Sequence, residues 1–540
     1  MLLACALMAW TPAPQTVIAF ADESASSGLN FVLNNGRTER RYLPETMAGG
    51  IAAFDFDGDG RLDLFFANGA EMPGLVKTNP TYWDRLFHND GHGRFTDVTQ
   101  KSGLAGAGYS IGAAAGDFDN DGKVDLVVVG VNGSRLYRNM GGGRFEDVTA
   151  SAGIRENQFA VAAAWFDYDR DGLLDLLVVH YLQWAPEANP LCHDPSGRLT
   201  VYCNPKEFKP TANSLYHNLG GGRFEDVSKK SGIVAVEGKG MGVAIADYDR
   251  DGYQDVFITN DTLPNFLFHN QRNGTFAEAA FDAGVALPDD GNAISGMGTD
   301  FRDYNNDGLP DIVFTALQGQ TFPLFQNTGK GQFVQPSQVS RLGPLTSSLS
   351  GWGVALADLN NDGWKDLFTA NSHVTDNIEM FSGDRYKLPN AVFVNRGDGT
   401  FGDVSSGSDS GFQAPRAHRG LVVADFDGDG RLDAAVSVLG ERPQFLRNVT
   451  AGAGNWLDVK LIGTRNNRDG IGAEIRIGRQ SNAMTGSMGY ASSTVAPVHF
   501  GLGTQMIVPE MDIVWPNGLT QHLTNVTANQ VLTVREPAGR

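Results

Sequence analysis

Short apolar runs and acidic turns alternate along most of this chain in one fixed order. Each unit opens with a run of small and apolar residues: "MAGGIAAF", "YSIGAAAG", "FAVAAAWF", "GMGVAIA", "SGMGTDF", "SGWGVALA" and "HRGLVVA". An acidic turn follows. Next comes a second apolar run, such as "DLFFANG" or "DLVVVG", whose β-branched and aromatic content predicts a strand. A third predicted strand ends each time in asparagine: Asn89, Asn139, Asn218, Asn270, Asn327, Asn395 and Asn448. A glycine turn then leads to a fourth, such as "GRFTDVT". Four strands per unit, repeated seven times, predict a seven-bladed β-propeller. Small side chains suit the inner strand of a blade, where all the blades crowd around one axis.

The seventh unit lacks its fourth strand, and the missing piece stands at the other end of the chain. "FADESASSGL" (Phe20 to Leu29) aligns without a gap with "FTDVTQKSGL" (Phe95 to Leu104). Residues 20–29 are therefore expected to close blade 7, with Phe20 near "QFLRN", and to remove an exposed sheet edge. This places the propeller over residues 20–450. From residue 455 to 536 the acidic turns stop, and apolar and polar positions alternate in "NWLDVKLIG", "GAEIRIG", "PVHFGLG", "MDIVWPNG" and "NQVLTVRE". That pattern predicts a small β-sandwich-like domain, so the whole chain reads as all-β.

The acidic turns carry the candidate chemistry. Each spells D-x-[DN]-x-D-G-x-x-D, and their starts fall 62, 50, 80, 56, 55 and 67 residues apart. The side-chain ligands this predicts are Asp55, Asp57, Asp59 and Asp63; Asp117, Asp119, Asp121 and Asp125; Asp167, Asp169, Asp171 and Asp175; Asp247, Asp249, Asp251 and Asp255; Asp303, Asn305, Asp307 and Asp311; Asp358, Asn360, Asp362 and Asp366; Asp425, Asp427, Asp429 and Asp433. Alternating short oxygen side chains, with a glycine that permits the sharp turn, form a cage suited to Ca²⁺. An EF-hand begins the same way but needs a carboxylate at position 12. Here that position holds Phe66, Val128, Val178, Ile258, Phe314, Thr369 and Val436. The loops are thus expected as hairpin turns between strands, with up to seven Ca²⁺. The bland alternative is that some are ordinary polar turns, since Asp, Asn and Gly are common turn residues. Asn305 and Asn360 lower the ligand charge of the fifth and sixth loops.

Charge supports the metal reading. The formal net charge is −20, and the loops hold 26 of the 62 acidic residues; seven divalent ions would bring the balance to about −6. The same acidity disfavours nucleic acid as a partner. Only "GRTERRY" (Gly36 to Tyr42) is densely basic, and it is expected as a solvated loop.

Cys192 and Cys203 lie eleven residues apart in a long insertion between the third and fourth loops. In a secreted chain they are expected to form a disulfide. Residues 1–19 have an apolar core too short to span a bilayer and suited to a signal segment. "LLAC" also resembles a lipoprotein signal with Cys5 as the lipidated residue. These features predict a secreted, periplasmic or cell-surface protein, with no transmembrane span.

The blades resemble FG-GAP/VCBS repeats of the kind found in the integrin α-chain head. The tail is similar to the ASPIC/UnbV domain of the cartilage acidic protein family, in "NWLDVKLIGTRNNRDGIGAEIRI" (Asn455 to Ile477), "HFGLG" (His499 to Gly503), "IVWPNG" (Ile513 to Gly518) and "NQVLTV" (Asn529 to Val534). The tail departs from the family at "GYASS" (Gly489 to Ser493), where a Gly-Tyr-Leu-Ser-Gln stretch is usual. The EGF-like module of the animal members does not appear, which implies a bacterial-type member. What the resemblance implies is a secreted, Ca²⁺-loaded propeller.

Two functional readings follow. One is a binding or scaffolding module, with an extracellular or periplasmic protein or glycan as partner and the Cys192–Cys203 insertion as the site-bearing element. The other is an extracytoplasmic enzyme acting on a carbohydrate or a small molecule. His88, His217 and His269 share one repeat position also filled by Arg, Gln and Val, which reads as a solvated strand face. His180, His193, His373 and His418 fall near loop ends, and no spacing makes them a catalytic set. No G-x-S-x-G, H-E-x-x-H or P-loop is present.

Overall fold

The structure, a computed structural model, describes residues 17–538. The expected signal core and Cys5 lie outside the described residues. Ile18 and Ala19 belong to the folded body. Ile18 is buried in the core of blade 7, and the Ala19 amide donates to Thr450 Oγ1 at 3.1 Å.

The strands form seven antiparallel four-stranded units in sequence order. Their inner strands are Ile51–Phe54, Tyr109–Gly116, Ala160–Phe166, Gly240–Ala246, Thr299–Arg302, Gly351–Ala357 and His418–Ala424. Each inner strand packs on the next, and His418–Ala424 returns to Ile51–Phe54, so the ring is closed. Blade 7 takes its outer strand from the N-terminus: Phe20 pairs with Asn448 and Asp22 with Leu446. The Phe20 ring stacks on Phe412 at 5.8 Å and meets Phe368 edge-on at 5.4 Å.

The repeated asparagine holds neighbouring blades together. In every blade its amide N–H donates to the last Asp of its own acidic loop at 2.7–2.8 Å. Its Nδ2 donates to a carbonyl in the loop of the preceding blade at 2.8–2.9 Å. Asn89 of blade 1 reaches Phe426 of blade 7, so this bracket runs around the whole ring. All seven asparagines are buried. Replacing Asn270 with alanine leaves the Tyr168 and Gln254 carbonyls without this donor. The expected cost is about 3 kcal/mol, read as a lower urea midpoint with an unchanged slope.

The C-terminal strands form two sheets. One orders Val498–Gly503, Asn455–Ile462 and Val531–Arg535; the other orders Gln480–Ala483, Glu474–Ile477, Ile507–Val514 and Thr520–Thr527. Leu457, Val459, Ile475, Met511, Ile513 and Trp515 fill the space between them, and this core is continuous with Phe118 and Trp165 of blades 2 and 3.

One hairpin of the tail leaves these sheets and enters the ring. Ser487–Met488 and Ser492–Val495 contact all seven inner strands between them. Ser492–Val495 adds to blade 1, pairing in parallel with Ala52–Phe54. Gly489 and Thr299 exchange two backbone hydrogen bonds of 3.0 and 3.2 Å, and the Ala113 amide donates to the Ala491 carbonyl at 3.1 Å. At the hairpin tip, Tyr490 meets Trp352 edge-on at 4.8 Å, and its hydroxyl donates to the Met47 carbonyl at 2.9 Å. The small residues of the inner strands thus serve two purposes. They let the blades converge, and they leave room for a peptide along the axis.

Candidate metal centres

Each acidic loop is wound by its own hydrogen bonds so that its carboxylates point at one centre. The glycine N–H at position 6 donates to the first Asp at 2.7–3.0 Å. The position-2 N–H donates to the last Asp at 3.0–3.2 Å. Position 6 is left-handed in every loop, with φ between 83° and 94°, which only glycine adopts freely. Position 4 is left-handed too, and there Gly58, Asn120, Arg170, Arg250, Asn306, Asn361 and Gly428 stand. That second requirement is masked in the sequence, because glycine, asparagine and arginine all meet it.

The resulting clusters bring together the predicted ligands at positions 1, 3 and 9 of the first two loops, while the position-5 carboxylates Asp59, Asp121 and Asp429 pair with Arg61, Lys123 and Arg431 of their own loops. Oxygens of Asp55, Asp57 and Asp63, and of Asp117, Asp119 and Asp125, lie within 4.8 Å of one another. The last Asp of each loop is buried: Asp63, Asp125, Asp175, Asp255, Asp311, Asp366 and Asp433. Burial pushes the carboxyl of Asp63 up to about 8, of Asp125 to about 9, of Asp175 to about 7 and of Asp255 to about 6. Asp311, Asp366 and Asp433 are raised well above the usual carboxylate range for the same reason. Burial likewise raises Asp117, Asp167 and Asp247, each the first Asp of its loop, to about 7. A carboxylate moved out of water needs a cation to remain charged.

Three further observations test the fit of a hard cation. Asp303 is 4% exposed, and its Oδ1 has no hydrogen-bond partner. Asp169 Oδ1 is likewise shut off from water and unpartnered, whereas Asp251 Oδ2 pairs with Arg272 Nε at 3.2 Å. In the fifth and sixth loops, Asn305 and Asn360 turn their Nδ2 to Asp307 and Asp362 at 3.0 Å, so each amide offsets part of the loop charge. The donor set is oxygen-rich and suits Ca²⁺.

The histidines expected on a solvated strand face lie against the loops instead. His217 Nδ1 is 3.1 Å from Asp175 Oδ1, and His269 Nδ1 is 3.1 Å from Asp255 Oδ1. The hydrogen bond to Asp175 holds His217 up at about 9, and Asp255 raises His269 in the same way. His88 Nε2 lies 3.2 Å from Asp59. The cause is register. The asparagine next in sequence binds the last Asp through its backbone, so the preceding side chain projects over the loop. Arg138 takes that place in blade 2 and pairs with Asp119 at 2.6 Å.

The opposite face is built from long connections. Cys192 and Cys203 form a disulfide with Cα atoms 5.2 Å apart, pinning the paired strands Cys192–His193 and Thr200–Val201. This insertion meets the chain before blade 1 through Arg40 Nη2 and the Asn189 carbonyl (2.8 Å), and through Tyr202 and Glu45 (3.1 Å). It meets the blade 6 connection where Asn377 Nδ2 donates to the Thr200 carbonyl at 3.1 Å. "GRTERRY" is therefore not a free basic loop, because Arg37 and Arg41 both pair with Asp376. Replacing both cysteines with serine opens a closed loop of about 12 residues and is expected to cost about 3 kcal/mol. The loss should fall first on amide protection across residues 182–211.

The remaining histidines do not meet. His180 is buried between Glu156 Oε2 (2.8 Å) and the Ala212 carbonyl (2.7 Å). His418 lies between the Asn371 carbonyl (3.0 Å) and Gln444 Oε1 (2.8 Å). His373 accepts the Thr375 amide at 3.0 Å, and His193 is exposed in the disulfide hairpin.

Closed antiparallel sheets around an axis, each carrying one acidic loop, define a repeat β-propeller. The chain belongs to the FG-GAP-like repeat family, whose model matches residues 55–128, 117–178, 196–258, 247–314, 303–369 and 377–436. The ASPIC and UnbV model matches residues 463–540. Among curated proteins, cartilage acidic protein 1 of Homo sapiens is 28% identical over 345 residues, covering 61% of this chain and 49% of that protein. The Xenopus tropicalis protein is 27% identical over 318 residues, covering 55% and 45%. The chain thus spans about half the length of the curated relatives it matches. Among solved structures, an Agrocybe aegerita lectin that recognises non-reducing terminal N-acetylglucosamine aligns with a TM-score of 0.38 at 17% identity, covering 75% of this chain and 91% of that one. No helix among the described residues is long and apolar enough to cross a membrane.

Proposed function

We propose that this chain is an extracytoplasmic Ca²⁺-binding propeller that works as a binding or scaffolding module. The observation that carries the metal reading is the buried, unpartnered Oδ1 of Asp303 within an oxygen-lined loop. The carboxylates at positions 1, 3, 5 and 9 would hold the ion, with Asn305 and Asn360 standing in for one carboxylate in their loops. Bound Ca²⁺ supplies the charge that lets these groups share one turn. The chain's own residues do the rest: glycine and asparagine bend the loop, and the bracket asparagine ties it to the next blade.

The face bearing the Cys192–Cys203 hairpin is the proposed partner surface. It departs from the repeat, rests on a rigid ring and is braced by a disulfide, a bond that persists in oxidising compartments. An extracellular or periplasmic protein or glycan is the partner class this supports. Calorimetric titration of the chelator-treated full chain with Ca²⁺ tests the first half, with several binding events expected. No heat, together with no calcium in the purified protein by elemental analysis, would remove it. For the second half, capture from culture medium or periplasm is compared with a variant lacking residues 185–210. Retention of every partner by that variant would show that the surface is misassigned.

A further inference from the structure

The tail sits on the acidic-loop face and touches the loops with charged and hydrogen-bonding groups. Asp469 carries this furthest. Its Oδ2 accepts the Asp117 amide at 2.8 Å, so a fifth carboxylate stands beside the four of the second loop. Lys460 and Arg468 lie near Asp469 but form no ion pair with it among the described residues; Lys460 instead reaches Asp55 at 3.7 Å. A carboxylate so placed is repelled by a loop that carries only its own negative charge. It is attracted once a divalent cation sits in that loop.

At the sixth loop the fit is steric. His499 Nε2 lies 2.8 Å from Asn361 Oδ1, and the Gly503 amide donates to the Asn361 carbonyl at 2.8 Å. A β-carbon added at Gly501 would overlap Asp358 Oδ2. The tail therefore seats only on a loop wound in this shape. The same tail carries the hairpin Ser487–Val495 into the axis.

We infer that seating of the tail is coupled to ion occupancy of the loops: cation binding beside Asp469 and Gly501 favours the docked tail and keeps its hairpin in the axis. Loss of the ions releases the hairpin while the blades stay paired. This rests on the metal reading above. The coupling is reciprocal, so a loosened tail lowers the affinity of the loops it touches.

The test is hydrogen exchange of the full chain, followed by mass spectrometry, in Ca²⁺ and in EGTA. Peptides over residues 484–496 report the hairpin, and peptides over Gly240–Ala246 report a blade interior. The expected result is about tenfold faster exchange of the hairpin in EGTA, with the blade strand still protected and its exchange raised by less than that of the hairpin. Asp469→Asn keeps an acceptor for the Asp117 amide and removes the charge. In EGTA its hairpin should exchange more slowly than that of the unaltered chain. Equal hairpin exchange in both buffers, in a sample shown by calorimetry to bind Ca²⁺, would overturn the coupling and leave the metal reading intact. Equal loss of protection in hairpin and blade would overturn it in favour of global opening. Absence of any Ca²⁺ binding would sink both.

Discussion

Chelation is expected to lower the melting midpoint of this chain by about 10 °C or more, measured by calorimetry in EGTA against excess Ca²⁺. The argument is one of mass action. A ligand that binds the native state alone adds about 2.7 kcal/mol per site at a free concentration 100 times its dissociation constant. The unfolded chain scatters the four ligands of each loop and competes weakly for the ion. Even four occupied loops then contribute on the order of 10 kcal/mol. The native state also carries a specific liability without cations, because burial raises the last Asp of every loop. Mg²⁺ should restore only part of the shift, because it demands near-octahedral geometry and gives up its waters reluctantly. An unchanged midpoint would remove calcium from any structural part in this ring.

Much of the architecture is legible because it is local. An acidic turn between apolar runs is written in nine consecutive residues, and each blade repeats it. The strand-terminal asparagine is legible as a position, although its bond to the preceding blade is not. That bond joins residues such as Asn89 and Phe426 that lie 337 positions apart. The disulfide could be read because both cysteines fall in one insertion.

What could not be read depends on distant partners. Nothing in "GYASS" marks it as the segment that enters the axis, since its neighbours are the inner strands of blades from about 70 to about 440 residues upstream. His217 and His269 looked solvated because their repeat position tolerates several residue types. That tolerance reflects a half-exposed place over a charged loop, where histidine and arginine both find a carboxylate. Arg37 and Arg41 looked unpaired because Asp376 lies in another blade's connection.

Gly50→Ala should expel the axial hairpin and destabilise the chain by about 3 kcal/mol. The backbone of Gly50 has no left-handed φ, so alanine is not refused on conformational grounds. The penalty is one of space. A β-carbon there would overlap the Ala491 carbonyl oxygen and stand 2.7 Å from Gly112 Cα and the Ile111 carbonyl. All three are backbone atoms, held by the hairpin on one side and by the neighbouring blade on the other. The blade cannot yield without breaking ring closure, so the hairpin should move. Its departure strips Tyr490 from Trp352 and from the Met47 carbonyl, and leaves the Ala113 amide without its acceptor. Gly383→Ala is the control, because that glycine meets nothing within 4 Å and is not left-handed, so its stability should stay within about 0.5 kcal/mol of the parent. Limited proteolysis separates the mechanisms. Cleavage confined to residues 484–496 marks an expelled hairpin on an intact ring. Gly50→Ala melting like Gly383→Ala, with the hairpin still protected, would show that the axis holds more room than these contacts allow.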